Sequence, residues 1–274
     1  MTPVNYFTVD FEEWFHGLTS ASRRPESWSR YERRAAVGGE WLLSALERAG
    51  VKATFFIVGL VARETPGIVR AIADAGHEIG LHGHTHKLVR EMAREGFAAD
   101  LDEGIAALKE ATGTAPAGFR APCFSVDATT PWLWEELAAR GVKYDSSVFP
   151  IRAMLYGYPG GGREPFVKQT PHGPIHEFPM TVYRAGGVNL PFSGGFYLRA
   201  LPYALTRTLI QRLNAQGTPV IIYCHPWEFD PGHPVPEYVT VRERLSHYGF
   251  LQDARDKYLR LLDDFAFAPL GRAL

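Results

Sequence analysis

Cysteine is scarce in this chain of 274 residues: there are two, Cys123 and Cys224. That excludes a disulfide framework and fits a reducing compartment. Each sits beside a candidate site residue, yet both read first as small buried hydrophobes. No apolar run approaches the ~20 residues a membrane helix needs, so no integral membrane segment is expected. The opening, MTPVNYFTVDFEEWF, has no basic stretch followed by an apolar one. No secretory leader is read there, and the expected location is cytoplasmic. An excess of charge is lacking too. The 29 Lys and Arg nearly balance the 30 Asp and Glu, leaving −1. No basic face announces a nucleic-acid partner. There is no G-x-G-x-x-G after the first apolar run, which disfavours a dinucleotide site. Short repeats and low-complexity tracts are absent. What remains is enough apolar residue for one domain over 1–274 with a substantial core.

Apolar runs alternate with helical patterns. Strand-like runs fall at 4–11, 51–58, 77–81, 118–122, 142–145, 175–182 and 218–225. Helical patterns fall at 39–49, 60–75, 91–112, 131–140 and 202–216, several closed by glycine. Phe97, Leu101, Ile105 and Leu108, three and four apart, mark an amphipathic helix. Helices at 237–247 and 253–264 are expected to pack on the body of the domain. The Gly- and Pro-rich stretch 150–175 and the segment NLPFSGGFY read as loops that shape a cleft. Near-continuous apolar strands alternating with helices imply a parallel sheet covered by helices. The expected fold is α/β: a distorted or incomplete (β/α) barrel of about seven parallel strands, TIM-like.

Five of these runs end in a residue that can hold a metal or move a proton: Asp10, His82, Arg120, Asp145 and His225. Barrels build their active sites from the carboxyl ends of their strands. His82 and His86 are four apart and can meet one metal if the segment turns helically, with His84 pointing elsewhere. A third ligand should be a carboxylate. Asp10 and Glu12 share a strand face if the strand persists that far. Whether Glu12 or Glu13 ligates depends on where the strand ends. His225, after VIIYC, suits a general acid near neutral pH. Arg120 can orient a carboxylate, and Asp145 can fix a histidine tautomer. Against each stands a plainer reading: a solvated acidic turn, a structural histidine, an ordinary ion pair.

Taken together and in order, TVDFEE, HGHTH, RAP, YDSS and CHPWE resemble the motifs of the polysaccharide deacetylase (NodB-type) family over about residues 4–230. The wording TVDFEEWF, GFRAPCFSVD, YDSSVFP, EFPMT and HPWEFDP is similar to a branch that accompanies bacterial exopolysaccharide and exosortase gene clusters. The resemblance implies a carbohydrate N-deacetylase holding one divalent ion, Zn²⁺ first, with Co²⁺, Ni²⁺ or Mn²⁺ as substitutes. It implies Asp10 as base toward water at that metal, oriented by Arg120. Glu12 (or Glu13), His82 and His86 are then the metal ligands, and His225 is the acid, tuned by Asp145. The backbone beside Cys123 is implied as an oxyanion donor. One departure stands out: better-known members carry two adjacent aspartates in the first motif, and here Phe11 takes the second position.

The expected partner is an N-acetylated amino-sugar oligomer, polymer or precursor. Trp14, Phe15, Phe192, Phe196, Tyr197 and Trp227 are candidate sugar-facing aromatics, with Trp14, Cys123, Phe196 and Trp227 singled out for substrate contact. Two other functions compete: opening of cyclic amides such as allantoin, and a catalytically silent carbohydrate-binding protein. Oligomeric state is not legible.

Overall fold

The computed structural model describes residues 3–17, 25–153, 156–236 and 239–274. Seven parallel strands follow one another in the order β10-β1-β2-β3-β4-β5-β7. They are β1 (Asn5–Phe11), β2 (Thr54–Ile57), β3 (Glu78–Leu81), β4 (Gly118–Phe119), β5 (Tyr144–Asp145), β7 (Gly173–Glu177) and β10 (Ile221–Cys224). β6 (Phe166–Thr170) adds antiparallel to β7, inside the stretch expected to be loop. β11 (Phe267–Ala268) joins the start of β1. A hairpin, β8 (Val182–Ala185) and β9 (Val188–Pro191), replaces the end of the expected strand 175–182 and the start of the Gly-rich loop. The chain returns at Ser193-Gly194 to bridge Tyr223 on β10. β10 and β7 do not pair among the described residues, so the sheet is a barrel with one seam left open. That is the α/β architecture the alternation predicts.

Strand alternation sorts the side chains. Phe7, Val9 and Phe11 on β1, Phe55 and Ile57 on β2, and Ile222 and Cys224 on β10 enter the larger core beneath the helices. Phe56, Tyr144, Ile221 and Tyr223 fill the barrel interior with Phe149, Phe178 and Met180. Two buried layers explain why the strands read as continuous apolar runs.

The covering helices are α1 (Ala35–Arg48), α2 (Gly59–Glu64), α3 (Pro66–Asp74), α4 (Arg94–Thr112), α5 (Leu133–Ala139), α6 (Gly195–Ala200) and α7 (Tyr203–Ala215). The pattern at 60–75 is two helices, because Pro66 has no N–H to continue the first. α8 (Val241–Ser246) buries none of its residues, whereas α9 (Ala254–Asp264) docks through Ala254, Tyr258 and Leu261. Residues 237–238 of the expected helix 237–247 lie outside the described residues. α1 approaches closely at Gly38, where a Cβ would sit 1.8 Å from the Pro226 carbonyl oxygen. That contact fixes the chain just after His225.

Candidate active site

The same alternation builds the site. Thr8 and Asp10 point inward from β1, and Glu12 follows two residues on. Gly80 precedes His82, Gly118 precedes Arg120, and Tyr223 precedes His225. These strands are in register, so Asp10, Glu12, His82, Arg120 and His225 meet at one end of the barrel. Asp10, Glu12, His82 and His225 line one cleft of about 470 Å³.

Glu12, His82 and His86 each offer a ligand atom, all within 4.8 Å of one another. Glu12 Oε2 lies 2.5 Å from His86 Nε2 and 3.8 Å from His82 Nε2. Yet His86 Nε2 is buried and makes no hydrogen bond. Two imidazoles and a carboxylate gathered this closely, one imidazole nitrogen without a hydrogen bond, are the donor set of a divalent cation. The segment after β3 does not turn helically: Gly83 at φ 69° and His86 at φ 54° bend it back instead. His82 Nδ1 donates to the Arg120 carbonyl at 2.7 Å, which leaves Nε2 as a lone pair for a metal. Burial pushes the His82 imidazole down to about 4, so it is neutral near pH 7. Burial would raise the Glu12 carboxyl, but the imidazoles of His86, His225 and His82 outweigh it and hold it low. Glu12 Oε1 also accepts from Trp227 Nε1 at 3.1 Å.

Glu13 turns away from this cluster. Its Oε2 accepts from the backbone N–H of Arg34 and Ala35, capping α1. Burial pushes its carboxyl up to about 7. His84 also faces away, 3.2 Å from Glu103. Its backbone N–H, with that of Thr85, is gripped by the Asp100 carboxylate, which pins the loop.

Arg120 is fully buried and donates to Asp10 Oδ1 (2.8 Å), Thr8, and both the carbonyl and hydroxyl of Ser146. His225 Nδ1 bonds Glu228 Oε1 at 2.7 Å. Burial lowers the His225 imidazole, but the Glu228 bond and the charges of Glu12, Glu228 and Asp10 outweigh it, and the net direction is up. Glu228 Oε2 faces the Arg199 guanidinium at 3.4 Å. Arg199 in turn donates to the carbonyls of Ser246 and His247 on the cleft wall.

Two expected site residues are elsewhere. Tyr144 and Ser146 take the inward positions around β5, so Asp145 points outward. It does not touch His225. Its partners are Ser147 and the buried Glu177, and it lies under α5, where Trp134 also bonds Glu177. Burial and the Glu177 charge push the Asp145 carboxyl well up. Trp14 is packed with Phe15, Trp28 and Trp227, and its Nε1 bonds the Glu32 carbonyl; it does not line the cleft. Phe15 and Phe192 are core as well. Cys123, Phe196, Tyr197 and Trp227 do line the cleft, joined by Phe124, Tyr156 and Tyr223. Cys123 and Phe124 hold φ of 52° and 49°, a left-handed pair that costs about 1–2 kcal/mol per residue and bends the segment after Arg120 around the cleft.

Glu228 and Arg199 were missed by sequence reasoning. For Glu228 a signal existed: a Glu three residues after His225, across Pro226, can close back on the histidine. For Arg199 there was none.

Residues 39–143 match the family model described as Polysaccharide deacetylase, and residues 146–274 match a Domain of unknown function (DUF3473). The barrel sheet continues across that join at β5. Over 122 residues the chain is 37% identical to a peptidoglycan deacetylase-like protein of Gibberella zeae, covering 44% of this chain and 35% of that protein. Over 140 residues it is 32% identical to a peptidoglycan deacetylase of Helicobacter pylori, covering 51% and 47%. The chain thus spans a third to a half of the length of these curated relatives. Among solved structures, a Mycobacterium smegmatis protein assigned to the polysaccharide deacetylases superposes with a TM-score of 0.63 at 21% identity, covering 100% of this chain and 90% of that one. An allantoinase superposes at 0.60 with 18% identity, covering 98% and 88%. At such identities these likenesses show a shared fold. No helix among the described residues is long and apolar enough to cross a membrane.

Proposed function

We propose that this chain, which carries a polysaccharide deacetylase domain, is a metal-dependent carbohydrate N-deacetylase. The observation that carries the reading is the convergence of an Arg-held aspartate, a Glu/His/His cluster and a Glu-held histidine on one cleft. Removing an acetyl group from nitrogen needs a base for water, a stabiliser for the carbonyl oxygen and an acid for the amine.

Arg120 engages Asp10 Oδ1 and leaves Oδ2 to take a proton from water. The water oxygen then bonds the acetamide carbonyl carbon. Glu228 accepts from His225 Nδ1–H and supports the imidazolium, whose Nε2–H proton goes to the departing nitrogen as the C–N bond breaks. Acetate and a free amine result. Glu12, His82 and His86 would hold a divalent cation, which supplies Lewis acidity to the carbonyl and to water. The backbone N–H of Cys123, turned by the left-handed pair, is the proposed second donor to the carbonyl oxygen. The aromatic walls at Phe196, Tyr197 and Trp227 offer faces for sugar rings.

The substrate class is an N-acetylated amino-sugar oligomer or polymer. The narrower assignment, to exopolysaccharide assembly, rests on the segments TVDFEEWF and HPWEFDP alone. The test is acetate release from N-acetylglucosamine oligomers by protein loaded with Zn²⁺, Co²⁺ or Mn²⁺. Metal-dependent release supports the reading. A metal-loaded protein that binds glycan but never releases acetate would leave a silent binding protein.

A further inference from the structure

Trp227 lines the cleft, yet it also touches the residues of the site itself. It is buried on the single turn Pro226–Phe229 that follows β10. Its indole Nε1 donates to Glu12 Oε1 at 3.1 Å. The other carboxylate oxygen, Oε2, is the one turned toward His86 and His82. The indole ring stacks on the His225 imidazole, with centroids 4.7 Å apart and planes 16° from parallel. One side chain therefore meets a candidate metal ligand from the end of β1 and the candidate acid from the end of β10.

The indole is itself held. His247 stacks on it at 3.9 Å and 24°, and the Arg199 guanidinium carbon lies 5.1 Å from the ring centroid. The turn that carries it is closed by Glu228, which accepts from the backbone N–H of His225 as well as bonding Nδ1. These contacts fix the direction of the indole N–H within the protein. That matters for Glu12, because a long carboxylate side chain loses rotamer entropy when it is ordered. A fixed donor on Oε1 orders it in advance and satisfies an oxygen that burial would otherwise strip of water.

We propose that Trp227 is a positioning residue for both halves of the site. Its N–H orders Glu12 for the cation, and its ring sets the plane of the His225 imidazole. This rests on the deacetylase reading and adds a residue to its machinery.

Two variants separate the halves. Trp227→Phe keeps an aromatic ring beside His225 but has no N–H, and Trp227→Leu has neither. Metal-free protein is titrated with Co²⁺ and read by visible absorption. Acetate release from the N-acetylglucosamine tetramer gives kcat and KM. Trp227→Phe should raise the Kd for Co²⁺ about 10-fold or more, the usual cost of removing the partner of a metal ligand, and should alter the absorption band. With saturating Co²⁺ its kcat should recover. Trp227→Leu should stay about 10-fold or more below wild type at saturating Co²⁺, with the loss in kcat rather than KM, because its acid is no longer oriented. An unchanged Co²⁺ Kd in Trp227→Phe overturns the proposal. So does a Trp227→Leu whose kcat recovers with metal, or in which KM alone rises, as for a residue that only contacts sugar. Should Trp227→Phe not fold, the same titration is made with benzothienylalanine at that position, a ring of indole shape without the N–H. If the wild type releases no acetate, the deacetylase reading fails by itself. The Co²⁺ titration then decides: a weakened Kd in Trp227→Phe sustains the positioning role, and an equal one refutes it.

Discussion

Replacing Glu228 with glutamine tests the acid side of the site most sharply. The substitution keeps the shape and an acceptor oxygen but removes the charge 2.7 Å from His225 Nδ1. Both side chains are out of solvent contact or nearly so, so water screens the pair little. A hydrogen bond to a charged partner is worth ~1.5–3 kcal/mol and a neutral one ~0.5–1.5. The loss is therefore about 1–2 kcal/mol of support for the imidazolium, and tenfold in rate is about 1.36 kcal/mol. We expect kcat/KM to fall roughly 5- to 30-fold. The imidazole is raised in the native site, so it stays protonated to higher pH than an unsupported histidine. Glu228→Gln should move the alkaline limb of the pH–rate profile to lower pH. The assay is acetate release over about pH 5 to 10, the range in which a histidine acid titrates. Glu228→Asp should restore part of the limb. Circular dichroism checks the fold, since Arg199 keeps its bonds to Ser246 and His247. An unmoved limb in Glu228→Gln, or an equal shift in Asp145→Asn, refutes the assignment of His225's support to Glu228.

Asp145→Asn should instead report on stability. The raised Asp145 and Glu177 carboxyls bind a proton that the unfolded chain releases near its ordinary carboxylate range. Their contribution is complete below that range and is lost as pH rises through the native value. Melting temperature should fall more steeply from acid to alkaline pH in the wild type than in Asp145→Asn, and parallel curves would exclude a shared proton. His86→Ala should cut bound divalent metal from one ion per chain to near none by elemental analysis, with activity down at least about 100-fold. Adding metal at ~100 times its Kd should stabilise the wild type by ~2.7 kcal/mol in thermal melts and leave His86→Ala unmoved. Gly38→Ala drives a Cβ into the Pro226 carbonyl and should cost about 1–3 kcal/mol while lowering kcat by shifting His225. Full activity in that variant would show that the α1 contact does not position the acid.

The legible parts of the chain were those with a short physical range. Alternation along VNYFTVDFEE was enough to put Asp10 and Glu12 on one face, and strand–helix alternation was enough to give a parallel sheet. A histidine closing VIIYC, and a pair of histidines after HEIGL, stood out because buried strands seldom end in ionisable groups. The same rule, applied one residue too loosely, misplaced Asp145. Its neighbour Tyr144 fills the barrel interior, and period-two geometry then sends Asp145 to the helical side. Trp14 was misjudged because an aromatic beside a site residue reads alike whether it faces sugar or core.

What the sequence by itself determined was which side chains stand at strand ends, because the period of a strand is a local property of the backbone. Which of them meet was decided by the tertiary structure. The choice of Glu12 over Glu13 came from α1, whose free N–H groups claim Glu13 from 21 residues away. The seating of Arg199 from α6 against Glu228, and so behind His225, came from the way α6 closes over the end of β10. Such contacts depend on distances between segments far apart in the chain, and only the closed barrel sets those distances.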